Sequence, residues 1–412
     1  MKILFYNHTG QVSGAERVLL MILKGLDHQV CDAVVLCPAD GRLTEMIGEM
    51  GSRIIHINSL TARFTWRVDH LVKYLASFVG VIRAARSIVL REAPDFVHAN
   101  SIRAGLVMSA ATAGLKIPVI WHAHDVLPRH PLSTVVRLFA AATSRNHILA
   151  VSQAAADRFQ GARIRWLGRR IRVKVIHNAV DSERFQPNSE SRCEIRRALG
   201  ISEKARAIGI VGHLTPNKGQ LELIEAFAAV SRENPDAVLL IIGESLFNRG
   251  TDYVKSLTSA ATSFAITDRV RFLGPRDDMP ELMRGLDLLV VNSLTEAFPL
   301  TVLEGMASET PVLTSAAGGT LEMIRHLENG WLVASRDRDA LIDGTLALLG
   351  DEDLRKQLGS NGRRDALARF SIERFMTEIL SLYRGVLQSG KMPQRENAQV
   401  VETRRVAPAS RP

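Results

Sequence analysis

The sequence predicts an α/β protein: two Rossmann-like doubly wound domains facing each other across a cleft, with a C-terminal helix crossing back to the first domain. Three observations predict it. Short, continuous apolar runs alternate with amphipathic stretches along most of the chain, the pattern of parallel strands buried on both faces with helices between them. The alternation stops once, in the polar segment 181–206 (DSERFQPNSESRCEIRRALGISEKAR), and then restarts. The 412 residues, 46% of them hydrophobic, are enough for about two buried cores.

Taken in order, Lys2–Asn7 reads as a buried first strand, too short in its apolar part for a signal peptide. A glycine-containing loop, Gly10–Gly14, leads into an amphipathic helix from Ala15 to Leu26. Further strands are expected at Cys31–Leu36, Ile54–Ile57, Asp95–His98, Val119–His122, Ile148–Val151 and Lys174–His177. After the polar segment come strand Ala207–Gly212, helix Gly219–Glu233, strand Ala237–Gly243, helix Asp252–Ser263 and strand Val270–Leu273. A short helix Met279–Gly285, with Asp278 as cap and Pro280 at its start, precedes strand Leu288–Asn292. A last helix covers Ser371–Leu387. The domain bounds that follow are 1–183, a junction 184–205, a second domain 206–370, the C-terminal helix 371–388 and a disordered tail 389–412, which lacks periodicity.

Composition narrows the classes. No apolar run reaches membrane-spanning length without charges. Three cysteines, Cys31, Cys37 and Cys193, are odd in number and lack zinc spacing, so a reducing cytoplasm is the expected location. The net charge of +9 is lopsided: residues 1–190 hold 24 Lys and Arg against 14 Asp and Glu. A polyanionic partner for the first half follows, anionic lipid or nucleic acid. The stretch Arg158–Lys174 carries seven basic residues, Trp166 and no acid, and 63–91 is apolar but studded with Arg and Lys around Trp66. A face resting on anionic lipid at the inner side of a membrane fits both; so does an ordinary solvated helix face. Nucleic acid is not the expected partner, because aromatic stacking positions at regular intervals are missing.

The stretch Asn292–Met323 (NSLTEAFPLTVLEGMASETPVLTSAAGGTLEM) organises the second half. It reads as a strand end, a loop with Glu296, a helix opening at Pro299, a strand Pro311–Thr314 and a Gly318-Gly319 turn into another helix. A fully helical segment would set the backbones of Glu296 and Glu304 roughly 12 Å apart. That is wide for the acid and base of a glycoside hydrolase, about 5–9.5 Å. A helix N-terminus attracts phosphate, and carboxylates on either side of it suit sugar hydroxyls. A nucleotide-sugar is such a ligand.

Glu296-x7-Glu304 with the following PVL and GG-xx-E322 resembles the donor-site signature of glycosyltransferase family 4, retaining enzymes of the GT-B fold. The resemblance extends to VGHLTPNKGQLELIEAF (211–227), VRFLGPRDDMPELMRGLDLLVVNS (270–293) and VIHNAVDSERF (175–185). It is looser in the first half: GAE (14–16), HAN (98–100), HAHD (122–125) and VSQAAADRF (151–159). It implies a retaining transferase moving a sugar from a nucleoside-diphosphate sugar to a hydroxyl acceptor, a lipid-linked or polysaccharide glycan. It further implies that Glu296 and His124 meet the donor sugar, that Glu304 holds ribose, and that Lys218 with the backbone N–H groups of Leu300 and Thr301 faces the diphosphate. Backbone groups near Gly274 read the base, and Gly14, Gly318 and Gly319 let backbone approach the donor closely. Relatives pair the lysine with an arginine five residues earlier; here His213 stands there, and an imidazole needs its neighbours to hold a proton.

His122 and His124 alternate in a strand and share a side, so a metal site is conceivable, but no third ligand stands at suitable spacing. A single-histidine role for His124, oriented by Asp125, is therefore expected, with no metal and no cofactor. Asp337-Arg338-Asp339 matches a metal-binding DxD of a different fold, yet its place before helix Ala340–Leu349 makes Asp337 an N-cap. No P-loop, nucleophile elbow or GxGxxG follows the first strand, against NTPase, hydrolase and dehydrogenase readings. Two other classes stay in view: a glycosyltransferase-like scaffold that binds without turnover, and a basic nucleic-acid binder.

Overall fold

The structure is a computed structural model that describes residues 1–60, 68–143, 145–160, 171–245 and 251–391. Its first domain is a seven-stranded, all-parallel sheet: β1 (Lys2–Tyr6), β2 (Asp32–Cys37), β3 (Arg53–His56), β4 (Phe96–Ala99), β5 (Val119–Ala123), β6 (Asn146–Ala150) and β7 (Arg172–Val175), in the order β3-β2-β1-β4-β5-β6-β7. Helices α1 (Gly14–Gly25), α2 (Arg42–Glu49), α3 (Val68–Glu92), α4 (Ile102–Ala111), α5 (Pro131–Ala140) and α6 (Gln153–Ala156) connect them. The second domain repeats the plan with six parallel strands, β8 (Ala207–Val211), β9 (Val238–Ile242), β10 (Val270–Gly274), β11 (Leu288–Val291), β12 (Val312–Ser315) and β13 (Trp331–Val333), ordered β10-β9-β8-β11-β12-β13. The predicted two-domain α/β architecture is the one observed.

Each sheet reverses strand order beside its first strand, at β1/β4 and at β8/β11. Ligands of open parallel sheets sit outside the strand carboxyl ends at that reversal. The loops 7–13 and 100–101 leave the first such point, and 212–219 and 292–299 leave the second.

The polar segment at the junction is not bare linker. It holds α7 (Ser189–Ala198), capped by Asn188, whose side chain accepts from Ser191 N–H. Arg192 and Arg196 reach Asp287 at 2.7 and 2.9 Å, and Ile195 enters the second domain's core. Helices α8 (Gln220–Glu233), α9 (Thr251–Ser263), α10 (Met279–Gly285), α11 (Leu300–Ala307), α12 (Arg338–Gly350) and α13 (Glu352–Arg369) complete that domain. Asp337 caps α12, accepting from Ala340 N–H at 2.9 Å. Asp278 stands at the N-cap of α10 but gives its carboxylate to Arg276.

The last helix, α14 (Ile372–Lys391), crosses back: Phe375, Met376, Ile379, Tyr383 and Val386 belong to the first domain's core. Two crossings therefore tie the domains, at 176–180 and at 370–372. There Val180 N–H donates to Phe370 O, and the His177 ring stacks on Phe298 with centroids 4.7 Å apart. Trp66, Trp166, the centre of the basic stretch and the tail beyond 391 lie outside the described residues. No described helix is long and apolar enough to cross a membrane.

Candidate donor site

On the second-domain side, the loops 212–219 and 292–299 are fastened to each other. Leu294 N–H donates to Asn217 O at 2.8 Å, Asn217 Nδ2 to Thr295 O at 3.1 Å, and Asn292 Nδ2 to Gly219 O at 3.2 Å. Gly219 has φ +70°, and a Cβ there would lie 2.2 Å from Asn292 O, so only glycine allows the approach. The fastening brings Lys218 Nζ to 2.5 Å from Glu296 Oε1.

Beneath Glu296 lies the turn of 3-10 helix Gly318–Glu322. Gly319 N–H donates to Glu296 O at 3.0 Å, and a Cβ on Gly319 would come 1.7 Å from Ala297 O. Glycines 318 and 319 thus support the Glu296 loop. Gly274 ends β10 at φ +66°, and its carbonyl accepts from Gly243 N–H.

Residues 296–299 are loop, and Pro299 is the N-cap rather than the first residue of α11, so the two glutamates do not share one continuous helix. Leu300 and Thr301 are then the first helical residues, whose N–H groups have no partner within the helix. Glu304, one turn on, is only 7% exposed. Burial raises its pKa, and Arg17 and Arg184 partly offset that rise. Arg17, from α1 of the first domain, places NH1 3.7 Å from Glu304 Oε1.

The first-domain wall is a buried polar network. Ser13 N–H and Oγ both meet Glu16 Oε2, closing the start of α1, and Asn7 Nδ2 reaches Glu16 Oε1 at 3.1 Å. Asn100 Nδ2 donates to Asn7 Oδ1 and to Ala15 O. Because Ala15 O can only accept, the orientation of Asn100 is fixed, and its Oδ1 accepts from His124 Nε2 at 3.1 Å. His124 therefore carries its proton on Nε2 and keeps Nδ1 as an acceptor. Asn100, not Asp125, orients it: the hydrogen bond recorded for the His124 ring nitrogens is the one to Asn100 Oδ1, and none joins the ring to Asp125.

His124 and His122 do share a side, with ring centroids 3.9 Å apart. Behind them His98 joins His122 Nδ1 at 3.2 Å and Tyr383 of α14 at 2.8 Å. Burial pushes His124 down to about 3, so the ring is neutral at physiological pH. Gly14, at the start of α1, looks across at the Leu300 side chain, 4.0 Å from where a Cβ would stand. His213 is half-buried; burial, with help from Lys218, lowers its pKa against the opposing pull of Glu244 and Glu16.

The structure thus gathers Glu296, Lys218, Gly318 and Gly319 into one cluster, and Glu304 with the α11 start beside it. His124 and Gly14 lie on the facing wall. Sequence reasoning missed Arg17 and Asn100. Asn100 lay inside the HAN motif, but nothing local marked Arg17.

Two family models match the chain: one described as glycosyltransferase family 4 over residues 12–184, the other as glycosyl transferases group 1 over 191–365. The chain belongs to this family of glycosyltransferases. It is similar to a UDP-Gal:α-D-GlcNAc-diphosphoundecaprenol α-1,3-galactosyltransferase of Escherichia coli, 24% identical over 90% of this chain and 94% of that one. It is 34% identical to the D-inositol 3-phosphate glycosyltransferase of Salinispora arenicola over 52% of this chain, and spans about half (49%) of that relative's length. Among solved structures, Anabaena HepE in complex with UDP and glucose superposes with a TM-score of 0.79 at 27% identity, covering 93% of this chain and 99% of that one.

Proposed function

We propose that this chain transfers a sugar from a nucleoside-diphosphate sugar, with UDP as the nucleotide, to a hydroxyl of a glycan or lipid-linked glycan, with retention at the anomeric carbon. The observation that carries the reading is the pairing of Lys218 with Glu296 at 2.5 Å beside the start of α11, with Glu304 buried one helical turn away. UDP-bound HepE and the undecaprenol-linked galactosyltransferase support the donor and acceptor classes. Among the described residues no three His, Cys, Asp or Glu side chains cluster as a metal site would require, and none is invoked.

In this reading Glu304 accepts from the ribose hydroxyls, and the free N–H groups of Leu300 and Thr301 face the diphosphate. The Lys218 ammonium turns from Glu296 to the diphosphate as charge develops on the leaving group. Glu296 is then released to the sugar hydroxyls, and His124 Nδ1 accepts from another. The acceptor hydroxyl attacks the face that the diphosphate leaves. Its oxygen bonds to the anomeric carbon, the sugar–phosphate C–O bond breaks, and the hydroxyl proton passes to a diphosphate oxygen. No side chain need act as nucleophile. Work would be done on the cytoplasmic face of a membrane if the acceptor is lipid-borne.

A second reading, donor binding with weak or no turnover, is favoured by His213, whose lowered pKa leaves it neutral where the family resemblance implies an arginine. A thermal-shift screen across nucleotide-sugars tests donor recognition, since ligand binding to the native state raises the unfolding midpoint. A midpoint that climbs with UDP-sugar concentration supports it; a flat response to every nucleotide-sugar refutes both readings.

A further inference from the structure

Between Asp125 and Asp157 the chain has no acidic residue, yet it carries Arg129, Arg137 and Arg145. Helix α5 lies in this stretch and carries one wide apolar arc, part of it turned inward and part outward. Val136 and Ala140 turn inward to the core. On the outward side Leu132, Val135, Leu138 and Phe139 are 47, 49, 42 and 45% exposed, at the i, i+3, i+6 and i+7 spacing of one helical face. Four protruding large apolar side chains on ten residues exceed the scattered singles of an ordinary surface.

Basic groups border this face. Arg129, Arg137, Arg158 and His130 line a shallow concavity of about 570 Å³ at the start of α5, together with Pro128 and Thr134. Arg137 is braced there by Thr134 Oγ1 and by the carbonyl of Arg158. Asp157, beside Arg158 in sequence, is engaged by Gln153 at 2.6 Å.

We infer that α5 is a membrane-docking element. Its outward face enters the acyl boundary of an anionic phospholipid surface, and the three arginines meet headgroup phosphates. Charge complementarity selects this occupant. Nucleic acid would match the arginines but would leave the apolar row in water, and a purely apolar partner would strand the guanidinium groups. Position adds a reason: α5 follows β5 through the loop 124–130, which begins at His124 on the cleft wall. A lipid-borne acceptor would thus be presented next to the donor. To that extent the inference rests on the proposed transfer, but the docking itself does not.

The test is co-sedimentation of the full chain with phosphatidylcholine vesicles, with and without phosphatidylglycerol. Binding is expected only with phosphatidylglycerol and is expected to weaken with salt. Arg129→Ala with Arg158→Ala should lower the partition coefficient roughly thirty-fold, at about 1 kcal/mol per arginine near the surface. Leu138→Glu with Phe139→Glu, both at exposed positions, should lower it more than about ten-fold, because the inserted area is lost and like charge is added. UDP calorimetry on each variant reports an intact fold and separates the two readings. Lost vesicle binding with UDP binding intact is the expected result for the variants. Wild-type chain that binds UDP but no vesicle refutes the docking element alone; vesicle binding without UDP binding supports the docking element and refutes the donor reading. Vesicle binding unchanged in both variants overturns the inference. So does a dimer dispersed by Leu138→Glu with Phe139→Glu, or retention of RNA in preference to vesicles.

Discussion

Replacing Glu304 by glutamine should move stability and ligand binding in opposite directions. Burial raises the pKa of Glu304 above its ordinary 4.5, with Arg17 and Arg184 only partly opposing. A carboxyl whose folded pKa is raised contributes stability that is fully present below the unfolded value and is lost as pH rises through the folded one. At neutral pH the ionised group is therefore a cost to the fold, and Glu304→Gln removes it. The Arg17 pair does not reverse this: at 3.7 Å, with Arg17 40% exposed, it contributes under about 1 kcal/mol. The unfolding midpoint of the variant should equal or exceed that of wild type at neutral pH, and the gap should close below about pH 4.5. Binding goes the other way. Two ribose hydroxyls donating to a carboxylate give about 1.5–3 kcal/mol each, and an amide oxygen accepts more weakly. A net loss of about 2–3 kcal/mol weakens UDP binding roughly thirty- to hundred-fold, read by calorimetry. A lowered midpoint, or a UDP affinity within about three-fold of wild type, would refute the assignment of Glu304.

Other consequences follow from the same geometry. His213 is neutral at pH 7 because burial lowers it below the ordinary imidazole value, while a diphosphate beside it would favour the charged form; UDP-sugar affinity should strengthen as pH falls from neutral and level off only below the ordinary imidazole range, with proton uptake visible as buffer-dependent heat. His213→Arg should abolish that dependence and raise turnover; an unchanged rate means another cation already serves the diphosphate. A Cβ at position 319 would stand 1.7 Å from Ala297 O, so Gly319→Ala should displace the Glu296 loop and lower stability by about 1–3 kcal/mol in denaturant titration. Tyr383→Phe removes the hydroxyl beside buried His98 and should cost about 1–3 kcal/mol of stability while leaving UDP affinity unchanged.

The five inner strands of the first sheet were legible because strands buried on both faces are unbroken apolar runs; the edge strands β3 and β7 are only half-buried, yet all seven stand within two residues of the expected bounds. β13, only three residues long and directly after Gly330, was too short to announce itself. Helices betrayed themselves less evenly. α5 spans only ten residues and went unplaced although its apolar residues keep helical spacing, and α7 is so polar that it reads as part of the junction. Its buried Arg196 is intelligible only beside Asp287, 91 residues further on. The candidate site was legible through the family resemblance as far as proximity goes: Glu296, Lys218 and the Gly318-Gly319 turn come together, with Glu304 buried beside them. Arg17 was not, because its partner comes from the other domain and no local pattern records a contact across a cleft. Asn100 was passed over for Asp125, the nearer neighbour in sequence. Hydrogen-bond geometry chose otherwise.

Lys218 and Glu296 are proposed as the transferring end of a nucleotide-sugar site. The most direct test is the rate of UDP release from UDP-sugars, by transfer or by slow hydrolysis, in wild type and in Lys218→Ala. Wild-type turnover above the uncatalysed rate, falling roughly a hundred- to a thousand-fold in the variant, is the predicted result. Release at the uncatalysed rate in wild type, or an equal rate in the variant, would contradict it.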